Sequence, residues 1–239
     1  MRSPVDYRRI AHAMAAGPAA AGELYEAAAL ALTEIAAGRR TLRAVRHPLG
    51  FLCLPVEREA DRGVCVHVFD DDARRAAPAL TTSPVHAHSW DLASCVLYGE
   101  VGNVRALVRE DAHDPTHRLY EVRSTAPAAV GAPAWNDTPA VDEIRPTPRL
   151  VRCTSDPQET STAGEVYRLA AGQFHATVVP AGTRAATLLL GRTRPGGADL
   201  TVGPVHGTAH RVVRQTCDAA TTARTARTVL RRIHGHHGG

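Results

Sequence analysis

Residues 83–100 read SPVHAHSWDLASCVLYGE, and the order of side chains in this stretch decides the fold. Val85 to His88 is a short apolar and imidazole run, Ser89 to Asp91 is a polar turn, and Ser94 to Tyr98 is a second apolar run that stops at Gly99. In an extended strand residues i and i+2 project from the same face, so His86 and His88 present two imidazoles to one point. Neutral imidazole suits Fe, Cu, Ni and Zn, and two rings on one strand face form half of a transition-metal site.

Working outward, the same texture of short strands and turn residues continues in both directions. Leu49–Val56, Val64–Phe69, Val104–Arg109, Leu119–Arg123, Arg149–Cys153, Glu165–Leu169, His175–Val179 and Ala185–Gly191 are further strand candidates, mostly separated by Gly, Pro, Asp or Asn. Strands without regular helical alternation predict a mainly β sandwich or barrel and disfavour a doubly wound sheet. Residues 124–164 read as a long loop insertion, rich in Pro and Ala and without clear periodicity.

Helices are expected at both ends. Asp6 to Ala16 reads as one, stopped by Gly17-Pro18; Leu24, Ala28, Ala31 and Ile35 repeat at helical spacing before Gly38. Near the other end Asp218 is a candidate N-cap for a helix carrying Ala219, Ala223, Ala226, Leu230 and Ile233. Arg224, Arg227 and Arg231 form a neighbouring stripe, read as the solvated face of a docking helix, with an anion- or partner-binding face as the alternative. The organisation expected is an N-terminal helical segment over 1–46, a barrel over 47–205, and a helix with a His/Gly-rich tail over 206–239.

Composition narrows the chemistry. The 239 residues include no lysine, so a P-loop lysine, a pyridoxal-phosphate Schiff base and any catalytic lysine are excluded. The net charge is +4, yet segment 211–239 holds six arginines against one aspartate and by itself carries +5. The remaining body is close to neutral, without the electrostatic footprint of a nucleic-acid binder. Five separated cysteines (Cys53, Cys65, Cys95, Cys153 and Cys217) lack any CxxC pair, and no signal peptide or spanning apolar run is read. These features predict reduced thiols and a cytoplasmic location, with no membrane partner.

A second informative stretch, residues 166–180, reads VYRLAAGQFHATVVP and places Gly172 three residues before His175. His86, His88 and Gly99, followed by Gly172 and His175, resemble the two motifs of the cupin superfamily, with Ala170 where proline is usual. The resemblance covers about residues 47–205. It implies a double-stranded β-helix, or jelly-roll barrel, with His86, His88 and His175 on an internal metal. The family's glutamate would fall at Leu92 or Ala93, which cannot ligate. Asp91 is the nearest carboxylate, a ligand only if the Ser89–Asp91 turn bends the chain, and otherwise an acceptor that orients a ligand histidine.

Three histidines preceded by helices are similar to the cysteine dioxygenase-like branch of the superfamily. That resemblance implies Fe(II), with Zn, Ni, Cu or Mn as alternatives, and open coordination positions for a small-molecule substrate and dioxygen. It also implies a homodimer. Arg46 lies near the place of that branch's substrate-binding arginine, and Cys95 falls two positions beyond its cross-linking cysteine. Tyr98 and Glu100 share strand parity with His86 if no bulge intervenes, which would make them cavity-lining catalytic candidates. Trp90 is a candidate pocket wall. Asp70-Asp71-Asp72 reads as a charged turn, and the His206/His210 pair lacks the glutamate of a zinc-protease helix. A non-redox metal enzyme and a metabolite-binding protein without catalysis are the competing functions.

Overall fold

In the computed structural model, which describes residues 5–59, 61–124 and 140–237, Asp6 caps the first helix. Its carboxylate accepts the N–H groups of Arg8 and Arg9 at 2.9 and 3.2 Å, satisfying two donors that a helix start leaves free. Helix α1 (Tyr7–Ala16) ends at Gly17, whose φ of +68° turns the chain into a 3-10 turn and then α2 (Ala21–Ala36).

The strands follow as β1 (Val45–His47), β2 (Phe51–Glu59) and β3 (Arg62–Phe69), then a short helix α3 (Asp71–Arg75). Next come β4 (His86–Ala87), β5 (Trp90–Tyr98), β6 (Glu100–Glu110), β7 (His117–Ser124) and β8 (Ala140–Thr162). The last are β9 (Val166–Leu169), β10 (His175–Val178), β11 (Ala185–Thr193), β12 (Asp199–Gly203) and β13 (His210–Arg214), before α4 (Ala219–His237).

They form two antiparallel sheets, ordered β1-β2-β3-β11-β5-β9 and β13-β8-β6-β10-β4-β12-β7. In the second sheet β7 also pairs with β8, bringing the edge back on itself as a near-closed ring. The architecture is therefore mainly β, a sandwich approaching a barrel, with helices contributed by both ends of the chain.

The division of labour in the first sheet follows from period-2 alternation. Leu52, Leu54 and Val56 of β2, Val64, Val66 and Val68 of β3, and Ala186 and Leu188 of β11 face one way. There they join Ile10, Met14, Leu24, Leu32, Ile35, Val229 and Ile233 from the helices in the largest apolar core. Each fully buried Leu or Val contributes about 1.5–3 kcal/mol, so this helix–sheet interface is a principal source of stability. The intervening residues, including Cys53, Cys65, His67 and Leu189, face an interior cavity.

Three departures from the sequence reading have physical causes. Strand β8 runs from Ala140 to Thr162, well beyond the Arg149–Cys153 strand expected within the 124–164 insertion, while 125–139 fall outside the described residues. The pattern is obscured because β8 has few buried residues and carries Pro146, Pro148 and Pro157. Pairing shifts register near those prolines, between Arg118 and Tyr120 on β7 and between Val104 and Ala106 on β6. The Asp70–Asp72 run is not merely a turn; Asp70 caps α3 by accepting the Ala73 N–H at 2.7 Å. Finally, β13 continues the second sheet past residue 205, where the barrel was expected to end.

Candidate metal centre

The site is built on a pairing. His175 at the start of β10 lies directly opposite His86 of β4 in antiparallel register, and their ring centroids are 4.4 Å apart. His88 follows two residues after His86 at the exit of β4, with its ring 4.7 Å from His86 and 5.3 Å from His175. One ligand nitrogen from each ring lies within 4.8 Å of the others, so the three could hold one metal ion. His175 is buried; His86 and His88 are half-buried and open onto the cavity.

The backbone fixes which nitrogen is available. His86 Nδ1 is 2.8 Å from the Pro84 carbonyl, and His175 Nδ1 is 3.1 Å from the Gln173 carbonyl. A carbonyl only accepts, so both Nδ1 atoms carry the proton and both Nε2 lone pairs are free to ligate. His86 Nε2 and His88 Nε2 are 3.2 Å apart, less than the sum of two metal–nitrogen bonds of about 2.1 Å each. A His88 Nε2–H donating to His86 Nε2 satisfies this contact in the absence of metal, and a cation shared with His175 fits the same converging nitrogens.

Electrostatics favour the ligating form. Burial pushes all three imidazoles below the usual histidine range, His175 to about 3, with the neighbouring rings adding like-charge repulsion at His88 and His175. They are therefore neutral at physiological pH, the state in which imidazole binds metals.

The turn after His88 is tied from several directions. The Ser89 N–H donates to Asp199 Oδ1 at 2.7 Å, and the Arg194 N–H donates to the Ser89 carbonyl at 3.0 Å. The Gly172 N–H donates to the His88 carbonyl at 2.8 Å, and Gly172 reaches that position with a φ of +79°. The glycine before His175 thus joins the two histidine-bearing segments through the backbone. Trp90 stacks on His88 with centroids 4.2 Å apart, forming part of the pocket wall.

Not every candidate from the sequence reaches this point. Asp91 lies outside the triad: its Oδ1 accepts the Ala171 N–H at 2.9 Å and its other oxygen pairs with Arg194. The expected Ser89–Asp91 turn is confined to Ser89: β5 already begins at Trp90, so Trp90 and Leu92 line the cavity and Asp91 does not. Tyr98 and Glu100 are likewise placed elsewhere. A bulge at Leu97 sets Tyr98 opposite Ala186 and Val96 opposite Thr187, which reverses the parity on which the expectation depended. Tyr98 packs in the helix-facing core beneath Arg232, and Glu100 is exposed at the start of β6. Arg46 does not line the cavity, whereas Arg214 of β13 does, with its guanidinium on Asp142. His210 hydrogen-bonds Thr81 instead of forming a site with His206.

The cavity measures about 720 Å³, within the range of small-molecule sites. Its wall includes Phe51, Trp90, Leu92 and Leu189 with a polar group in Tyr167. Burial raises the Tyr167 phenol above its ordinary pKa, opposed by Ser94, Thr187 and Asn103 beside it, so the hydroxyl stays protonated. Tyr167 is the interior phenol that the sequence reading assigned no role; its alternation with Leu169 on one strand was the available signal.

No protein-family model matches this chain, and no curated protein matches it either. No helix among the described residues is long and apolar enough to cross a membrane.

Proposed function

We propose that the protein is a mononuclear metal-dependent enzyme of the cupin type, an Fe(II) dioxygenase acting on a small metabolite with His86, His88 and His175 as the metal ligands. The observation that carries this reading is the convergence of three neutral imidazoles, two oriented by backbone carbonyls, on one point at the cavity wall. Fe(II), when bound there, would supply open coordination positions for substrate and dioxygen and the electrons for oxygen activation. The protein supplies the rest. His86, His88 and His175 hold the ion, and the Gly172 and Asp199 contacts fix the turn that bears His88. Phe51, Leu92 and Leu189 exclude water from the substrate, while the protonated Tyr167 hydroxyl is available as a hydrogen-bond donor.

A non-redox reading has the same support, because a site of three neutral histidines also suits Zn or Ni acting as a Lewis acid. Two measurements separate them. Metal-free protein reconstituted with Fe(II) should bind one equivalent and consume oxygen when challenged with a panel of small metabolites, including thiols. The His175→Ala variant should lose both properties. Full turnover under strict anaerobiosis would reject the oxygenase, and stoichiometric Fe(II) retained by His175→Ala would reject the site.

A further inference from the structure

The wall provided by the first sheet carries a second convergent group. Cys53 on β2 sits directly opposite His67 on β3, and Cys65 lies two residues before His67 on the same face of β3. Their Sγ and ring-nitrogen atoms all lie within 4.8 Å of one another. All three side chains line the same cavity as the histidine triad, and all three are half-buried. The His67 ring is held by aromatic neighbours, with its centroid 4.6 Å from Phe51 and 6.4 Å from Phe69.

Two thiols and an imidazole at this spacing have a specific chemistry. Ligands of a tetrahedral zinc ion with Zn–S bonds of about 2.3 Å and Zn–N bonds of about 2.1 Å stand roughly 3.5–3.8 Å apart. The donor atoms of the cluster all lie within 4.8 Å of one another, against that ideal spacing. Three protein donors would leave the fourth tetrahedral position open, and all three side chains line the cavity. We propose that Cys53, Cys65 and His67 form a second metal site, selective for a thiophilic d10 cation such as Zn2+, on the wall facing the triad's enclosure.

Ligation converts each thiol to a thiolate by release of its proton, and the His67 nitrogen binds in its neutral form. The two sites of the cavity then differ in softness. Thiolates select Zn2+ or Cu(I), whereas an all-imidazole triad also accepts Fe(II), so the two sites differ in the metals they prefer. The fourth position on the zinc is open to water or to a donor atom of a substrate lying in the cavity.

The test uses the full-length, reduced and metal-free protein titrated anaerobically with Co2+, a spectroscopic substitute for zinc. A thiolate-to-cobalt charge-transfer band in the near ultraviolet is expected, and Zn2+ should remove it by displacement. Cys53→Ser and Cys65→Ser should each lose most of the band. A His86→Ala/His175→Ala variant should keep it, which separates this site from failure of the triad. In the unsubstituted protein, Zn2+ should slow alkylation of Cys53 and Cys65 by roughly tenfold or more while leaving Cys153 unchanged, as read by peptide mass spectrometry. Absence of the band from the reduced protein, its persistence in both serine variants, or alkylation of Cys53 and Cys65 indifferent to Zn2+ would each overturn the proposal.

Discussion

The Asp91 carboxylate accepts the Ala171 N–H at 2.9 Å, and through this bond the strand after one pair of histidines holds the turn before the third. Its remaining oxygen pairs with Arg194 on the strand end that also contacts the Ser89 carbonyl. Asp91 is thereby a positioning residue. Asp91→Ala should weaken metal binding by about 10–100-fold while leaving the ligand-field spectrum of the Co2+-loaded triad unchanged in shape. Asp91→Asn, which keeps an acceptor oxygen, should lose less. A spectrum altered in band position by Asp91→Asn would instead make the carboxylate a ligand.

The two motif glycines should respond differently to alanine. Gly172 has a φ of +79°, and a Cβ there meets nothing within 4 Å. Gly172→Ala should cost about 1–2 kcal/mol, the penalty of a left-handed alanine. Gly99 has a φ of +75°, and a Cβ would collide with the Arg184 carbonyl oxygen and the Ala185 backbone. Gly99→Ala should exceed about 4 kcal/mol, or fail to fold. Denaturant melts of the two variants check the contrast.

Acid should destabilise the metal-free protein well before its carboxylates titrate. The triad's folded-state pKa values lie below the unfolded value of 6.5, with His175 near 3. Below pH 6.5 the unfolded chain therefore binds protons that the folded chain refuses. Stability contributed by these groups is intact above pH 6.5 and declines as the pH falls from there toward 3. Thermal melts across that interval should show a falling midpoint, with a shallower slope in His175→Gln.

Core truncation should be costly only on the helix-facing side of the first sheet and among similarly enclosed positions. Leu188 is 1% exposed, whereas Leu107 on β6 is 46% exposed. Leu188→Ala should cost about 2–5 kcal/mol; Leu107→Ala should stay within about 0.5 kcal/mol. Urea titration of both variants measures the difference.

The His86/His88 pair was legible because its information is local, and His175 was placed with it only through the resemblance of its GxxH stretch to the second cupin motif. The i, i+2 spacing of His86 and His88 survives in a strand of two residues, and Gly172 marks the turn that delivers His175. Tyr98 was misplaced because a single extra residue, Leu97, reverses which face follows, and nothing in an apolar run announces a bulge. Strand β8 was read as loop outside Arg149–Cys153 because its few buried residues, Asp142, Ile144 and Val151, are too sparse and irregular to show alternation. The Cys53, Cys65 and His67 group was missed for a different reason. Cys65-Val66-His67 repeats the same i, i+2 spacing, but the third donor arrives from a neighbouring strand through register that the sequence does not state.

The alternation of β2, β3 and β11 has an evolutionary consequence. Their split gives the largest apolar cluster to the helices and leaves the cavity side with smaller ones, built on Phe51, Phe69, Leu92 and Leu189. The polar positions between those anchors can therefore drift toward new reactants through successive replacements, while the main cohesion lies behind the wall being rebuilt.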